Sequence, residues 1–241
     1  LLTFAKDLIL HREDFQTSGD YLQAMEKAVR AIEPENPLLG PEKTILDYDT
    51  VALDDENHAL VIIDQTKLPS RIEILSLTAQ EDIWDAIYLL KVRGAPAIGV
   101  AAAIGIYLAA REIALSMASQ NGNSAGQASS DYDEFLRRFR EASAYLNSSR
   151  PTAVNLSWAL RRMENVVQDH KGDSVPQIVT ALHDEALAIR EEDILVCRSI
   201  GKYGLSLVKP GDGLLTHCNA GQLATVKYGT ATAPMYLGQE K

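Results

Sequence analysis

Cysteine is scarce in this chain: its 241 residues hold two, Cys197 and Cys218. They lie far apart in local context and neither belongs to a C-x-x-C pair. That excludes a disulfide framework and a zinc site, and it suits a reducing cytoplasm. Positive charge is also short, with 23 Lys and Arg against 33 Asp and Glu, a formal net charge of −10. A nucleic-acid backbone demands a basic face, so nucleic acid is excluded as the main partner, and an anionic membrane surface with it. The opening of the chain lacks a basic head followed by an apolar core, so it does not read as a secretory signal. Long apolar runs are absent but for Gly94–Ala110, between Arg93 and Arg111. That run is slightly short for a membrane span, and alanine and glycine make its transfer energy modest. It reads as a buried helix whose small residues allow close packing.

What is present supports a substantial core. Apolar residues make up 46% of the chain, enough for one large domain or two small ones. Residues 1–45 read as an N-terminal extension, with Ser18-Gly19-Asp20 capping a helix whose apolar face is Leu22, Met25, Val29 and Ile32. A second unit, 46–174, opens with strands at Thr50–Leu53, Ala59–Asp64 and Arg71–Leu77, and turn-rich links make an antiparallel meander the natural arrangement. Thr78-Ala79-Gln80-Glu81 has the form of a capping box. The helix after it is expected to bury Ile83, Ile87 and Leu90. Ser116–Ser130 is polar and low in complexity, a surface loop or insert. Asp131–Asn147 returns to helix, with Phe135, Leu136, Phe139 and Tyr145 as its packing set. A long helix is expected over 175–207, and the domain boundary falls inside it.

Two joints share a pattern. Arg93-Gly94-Ala95-Pro96 and Ser148-Ser149-Arg150-Pro151-Thr152 each set an arginine and a proline at a helix start. At the first, Gly94 can close the preceding helix and Pro96 is pre-set for the first turn of the next. A cation beside free backbone amides can hold a phosphate. Arg93 could instead simply cap the preceding helix. Past Pro210-Gly211-Asp212-Gly213, Leu214–Thr216 reads as a short buried strand, Asn219–Gly221 as a turn and Gln222 onward as a helix. Cys218 would then stand at the carboxyl end of a strand facing a helix start, where ligands bind in open α/β sheets. The alternative is that Cys218 is a small buried hydrophobe. His217 points to the opposite face if the strand continues. Asp212 and Lys227 read as solvated or structural, and Cys197 as a filler on a helix face.

VRGAPAIG at Val92–Gly99, SSRPTAVNLSWAL at Ser148–Leu160 and GDGLLTHCNAG at Gly211–Gly221 together resemble methylthioribose-1-phosphate isomerase of methionine salvage. IDQTKLP at Ile63–Pro69 and the terminal KYGTATAPMY agree with the same family. The likeness runs collinearly from about Val51 to Lys241. It implies an α/β fold: a small β-meander and helical domain joined by a long helix to a Rossmann-like domain that starts in 208–241. It also implies an aldose–ketose isomerase that converts 5-methylthioribose 1-phosphate to 5-methylthioribulose 1-phosphate. The family uses no metal or nucleotide cofactor, and its members are cytoplasmic homodimers whose small-molecule partner is a sugar phosphate. Carried over, Arg93, Gly94 and Ala95 would hold the substrate phosphate, Arg150 would be a second substrate-binding arginine, and Cys218 would be the catalytic cysteine.

The extension over 1–45 and the insert at Ser116–Ser130 depart from the family pattern. The family's catalytic aspartate would come after Lys241, so the chain is expected to be a portion of the enzyme. Two relatives with the same fold mark the alternatives. Ribose-1,5-bisphosphate isomerase would need a second phosphate-binding group instead of an apolar methylthio pocket. The regulatory subunits of the translation-initiation guanine-nucleotide exchange factor bind without catalysis.

Overall fold

The computed structural model describes residues 48–120 and 128–239. The expected helix over Leu22–Ile32 therefore lies outside the described residues. Three strands come first: β1 (Val51–Asp54), β2 (Ala59–Ile63) and β3 (Ile74–Leu77). They form the expected antiparallel meander, with Val51 opposite Ile62 and Leu60 opposite Leu77. Those four side chains are buried and set the sheet against the helices. The first turn closes locally, because the Asp54 carboxylate accepts from the Asn57 N–H at 3.1 Å and from its Nδ2 at 2.8 Å.

Five helices follow: α1 (Gln80–Tyr88), α2 (Ala95–Gln120), α3 (Ala128–Ser148), α4 (Val154–Asp169) and α5 (Val175–Leu205). The apolar run becomes the first half of α2, which is buried on every side from Ala97 to Ala110. A helix apolar all round belongs in the centre of a core. Here α4, α5, α3 and α1 surround it, and β1 and β2 close one side. Leu156, Leu160, Met163 and Val167 of α4 and Ile178, Leu182 and Ile189 of α5 complete that core.

Several local expectations need correction. No capping box forms at Thr78–Glu81: the cap is Ala79 without a side-chain bond, and Gln80 spends its Nε2 on the Ala142 carbonyl at 2.8 Å. Leu90 is exposed, since the chain turns there with φ of 62° after α1 has ended. In α3 the helical phase buries Leu146 and leaves Tyr145 40% exposed, stacked on Trp84. The polar stretch Ser116–Ser130 is helical at both ends, through Gln120 and again from Ala128, and Met117 is buried.

The largest departure follows α5. Leu214–Thr216 forms no strand and Leu215 is 98% exposed. An extended apolar run becomes a strand only when a neighbour supplies its ladder, and no described strand lies beside it. Gln222 onward gives a single 3-10 turn (Gln222–Ala224), and the helix α6 waits until Ala233–Gln239. α6 packs on α5, where the absence of side chains at Gly201 and Gly204 lets Ala233 and Pro234 approach.

Candidate functional site

The amino-terminal end of α2 is where the separate motifs meet. Ala95 and Pro96 start the helix, and the Ile98 N–H closes the first bond to the Gly94 carbonyl at 2.8 Å. Pro96 has no N–H to offer, and those of Ala95 and Ala97 find no acceptor among the described residues. Ala95 is exposed and Ala97 buried at the positive end of this 26-residue helix.

Two close approaches bring other segments to this end. A β-carbon on Gly94 would lie 2.0 Å from the Ala224 Cα and 2.3 Å from its carbonyl oxygen. One on Gly99, about one turn on, would come within 3.2 Å of the Asn155 carbonyl oxygen. The first contact seats the segment that follows Cys218. The second seats the joint that carries Arg150. The first two motifs and the segment just after the third therefore meet in backbone at the first turns of α2.

The arginines there are distinguished by what they do not touch. Arg71, Arg111, Arg137, Arg138, Arg140, Arg162 and Arg190 each pair with a carboxylate. Arg93 and Arg150, like Arg161 and Arg198, pair with no described carboxylate. Arg93 is exposed and Arg150 half-buried. Pro151 and Thr152 lie in a turn, and α4 begins only at Val154, so the second joint is looser than expected.

Cys218 is exposed, on a connection rather than at a strand end, and its φ of 69° puts it in the left-handed region. That conformation is costly for a residue with a β-carbon and recurs at functional turns. The expected orientation of His217 depended on a strand and lapses with it; His217 is exposed. No hydrogen bond or ion pair joins Arg93, Arg150 and Cys218 to one another. Cys197 is buried on α5, and desolvation, with the Asp193 charge adding, pushes its thiol up to about 11. The filler reading holds for it.

The segment after Cys218 is pinned from several directions. Thr50 donates its hydroxyl to the Gln222 carbonyl at 3.1 Å, and Gln222 Nε2 donates to the Tyr48 carbonyl at 2.9 Å. Gln65 Nε2 donates to the Leu223 carbonyl at 2.8 Å. The Asp193 carboxylate accepts from the Val226 N–H at 2.7 Å, and burial raises its pKa against that bond. Sequence reading passed over these residues. Gln65 alone carried a signal, as part of IDQTKLP.

Comparison with known proteins agrees with this architecture. The model of the initiation factor 2 subunit family matches residues 91–233. The chain is 53% identical over 193 residues to methylthioribose-1-phosphate isomerase of Symbiobacterium thermophilum, covering 80% of this chain and 50% of that protein. It is 49% identical over 188 residues to 5-deoxyribose 1-phosphate isomerase of Clostridium botulinum, covering 78% and 50%. Among solved structures, 5-methylthioribose 1-phosphate isomerase of Pyrococcus horikoshii superposes with a TM-score of 0.67 at 33% identity, over 84% of this chain and 53% of that one. The delta subunit of translation initiation factor eIF-2B from A. fulgidus gives 0.65 at 39% identity, over 80% and 52%. The chain spans about half the length of the curated relatives it matches.

Proposed function

The chain belongs to the initiation factor 2 subunit family, and we propose that the protein carrying it is an aldose–ketose isomerase of methionine salvage. Its substrate would be 5-methylthioribose 1-phosphate and its product 5-methylthioribulose 1-phosphate. The observation that carries this reading is the convergence at α2: a helix N-terminus and two arginines without a partner among the described residues, and the segment after an exposed thiol, brought together by the Gly94–Ala224 and Gly99–Asn155 contacts.

In this reading the Ala95 and Ala97 amides and the Arg93 guanidinium take the phosphate dianion, which a planar fork and a helix N-terminus suit better than a lysine. Arg150 takes a second contact from the far side of the Gly99–Asn155 approach. Cys218 assists the transfer of hydrogen from C2 to C1, by proton relay or hydride shift. The reaction requires no metal or nucleotide. The two curated relatives act by name on ribose 1-phosphates whose C5 group is uncharged. That supports an apolar C5 substituent over ribose 1,5-bisphosphate. A cytoplasmic homodimer completes the proposal, with the boundary between its two domains inside α5.

The second reading is a regulatory binding subunit, favoured by the likeness to the eIF-2B delta subunit. An isomerase assay on the full-length gene product separates them. Turnover of 5-methylthioribose 1-phosphate, with 5-deoxyribose 1-phosphate a weaker substrate and ribose 1,5-bisphosphate none, upholds the enzyme. No turnover of any of the three overturns it and leaves the binding role.

A further inference from the structure

We infer that Gln65 is a positioning residue that fixes the segment after Cys218 on the joint carrying Arg93. It lies two residues past the end of β2 and is 2% exposed. Its backbone N–H donates to the Lys91 carbonyl at 2.9 Å, two residues before Arg93. Its side-chain Nε2 donates to the Leu223 carbonyl at 2.8 Å, five residues after Cys218. One residue thus bonds to the chain three residues before Gly94 and one residue before Ala224, the two partners of the close approach.

The side chain's own chemistry points the same way. Gln65 Oε1 is buried with no hydrogen-bond partner among the described residues. A residue selected for packing alone would be better served by leucine or methionine, which orphan no acceptor. The amide is therefore kept for its donor, and that donor has a single described use, the Leu223 carbonyl. Asparagine is one methylene too short to make the bond from the same backbone. Glutamate has the length, but its carboxylate would set acceptor against acceptor until it gains a proton, when its O–H can donate.

The functional consequence rests on the isomerase reading: Gln65 touches no reacting atom and acts by setting where the thiol stands relative to the bound phosphate. Small misplacements of this kind are costly to turnover.

The test uses Gln65→Met and Gln65→Glu in the full-length gene product. Gln65→Met is expected to lower kcat by about tenfold to a hundredfold, while inhibition by inorganic phosphate, which reports the Arg93 end alone, stays near wild type. Amide hydrogen exchange should quicken over 220–226 and not in β1–β3. Gln65→Glu should regain activity relative to wild type as pH falls toward 5 and the new carboxyl is protonated. An unchanged kcat in Gln65→Met, or a flat activity ratio in Gln65→Glu, overturns the inference. If the wild-type protein does not turn the sugar phosphate over, the isomerase reading fails separately and hydrogen exchange decides for Gln65: faster exchange at 220–226 in Gln65→Met upholds the clamp, and equal exchange removes it.

Discussion

Gly94 and Ala224 meet backbone to backbone, with no room between them for a single methyl group. The contact joins the start of the central helix to a segment about 130 residues later in the chain. Because the obstacle is main chain and not a flexible side-chain tip, relaxation must move a whole segment. Gly94→Ala is therefore expected to destabilise the protein by about 1–3 kcal/mol or more, the usual range for overpacking. Urea unfolding of the variant beside wild type checks it. An unchanged midpoint would mean that the 222–226 segment does not sit where the structure places it.

The two thiols should react very differently. Cys218 is exposed, while Cys197 is buried and its thiol is held protonated by its surroundings. At pH 7.5 in the native protein, iodoacetamide should modify Cys218 and leave Cys197 untouched, as peptide mass spectrometry reads directly. Labelling of both at similar rates would contradict the packing of α5 against Thr225 and Val226.

Asp193 gives a pH dependence with a definite sign. Burial is the larger influence and raises its pKa, with the Val226 amide opposing. A carboxyl whose folded pKa lies above its ordinary 3.8 is tolerated best while protonated, so stability is lost as pH rises through the folded value. Asn at this position keeps an acceptor for Val226 and carries no charge. The Tm of Asp193→Asn relative to wild type should therefore rise between pH 4 and pH 7. A difference that is constant with pH would show that the carboxyl titrates normally.

His183 has the opposite chemistry and the same direction. Burial pushes its pKa down, but hydrogen bonds to Asp184 and Asp55, with their charges, outweigh it and the net shift is upward from 6.5. The imidazolium ties α5 to the β1–β2 turn through Asp55 at 2.9 Å, edge-on to Tyr107. Its contribution is complete below 6.5 and is lost as pH rises through the folded value. Wild type should lose Tm relative to His183→Gln on going from pH 6 to pH 8. Parallel curves would sink the assignment.

Much of this was legible in the residues because it is local. The meander followed from β-branched runs between Asp- and Pro-rich turns, and α2 from an unbroken apolar stretch too rich in alanine to prefer lipid. The two arginine joints were visible as Arg–Pro spacing before helices, although α4 begins three residues after its proline. What failed depended on partners distant in sequence. Leu214–Thr216 looks like a strand because it is a short, mostly apolar run after a Pro-Gly-Asp-Gly turn, yet no described strand offers it a ladder. Gln65, Thr50 and Asp193 were missed for the same reason: each acts on a segment more than thirty residues away, and nothing in its own neighbourhood announces that.

The central claim is that the Cys218 thiol takes part in isomerisation, and Cys218→Ser in the full-length gene product tests it most directly. The account predicts that kcat on 5-methylthioribose 1-phosphate falls by about 10²–10⁴-fold, the range of a positioned acid or base, with KM little changed because the arginines remain. A variant that turns over at the wild-type rate would contradict it.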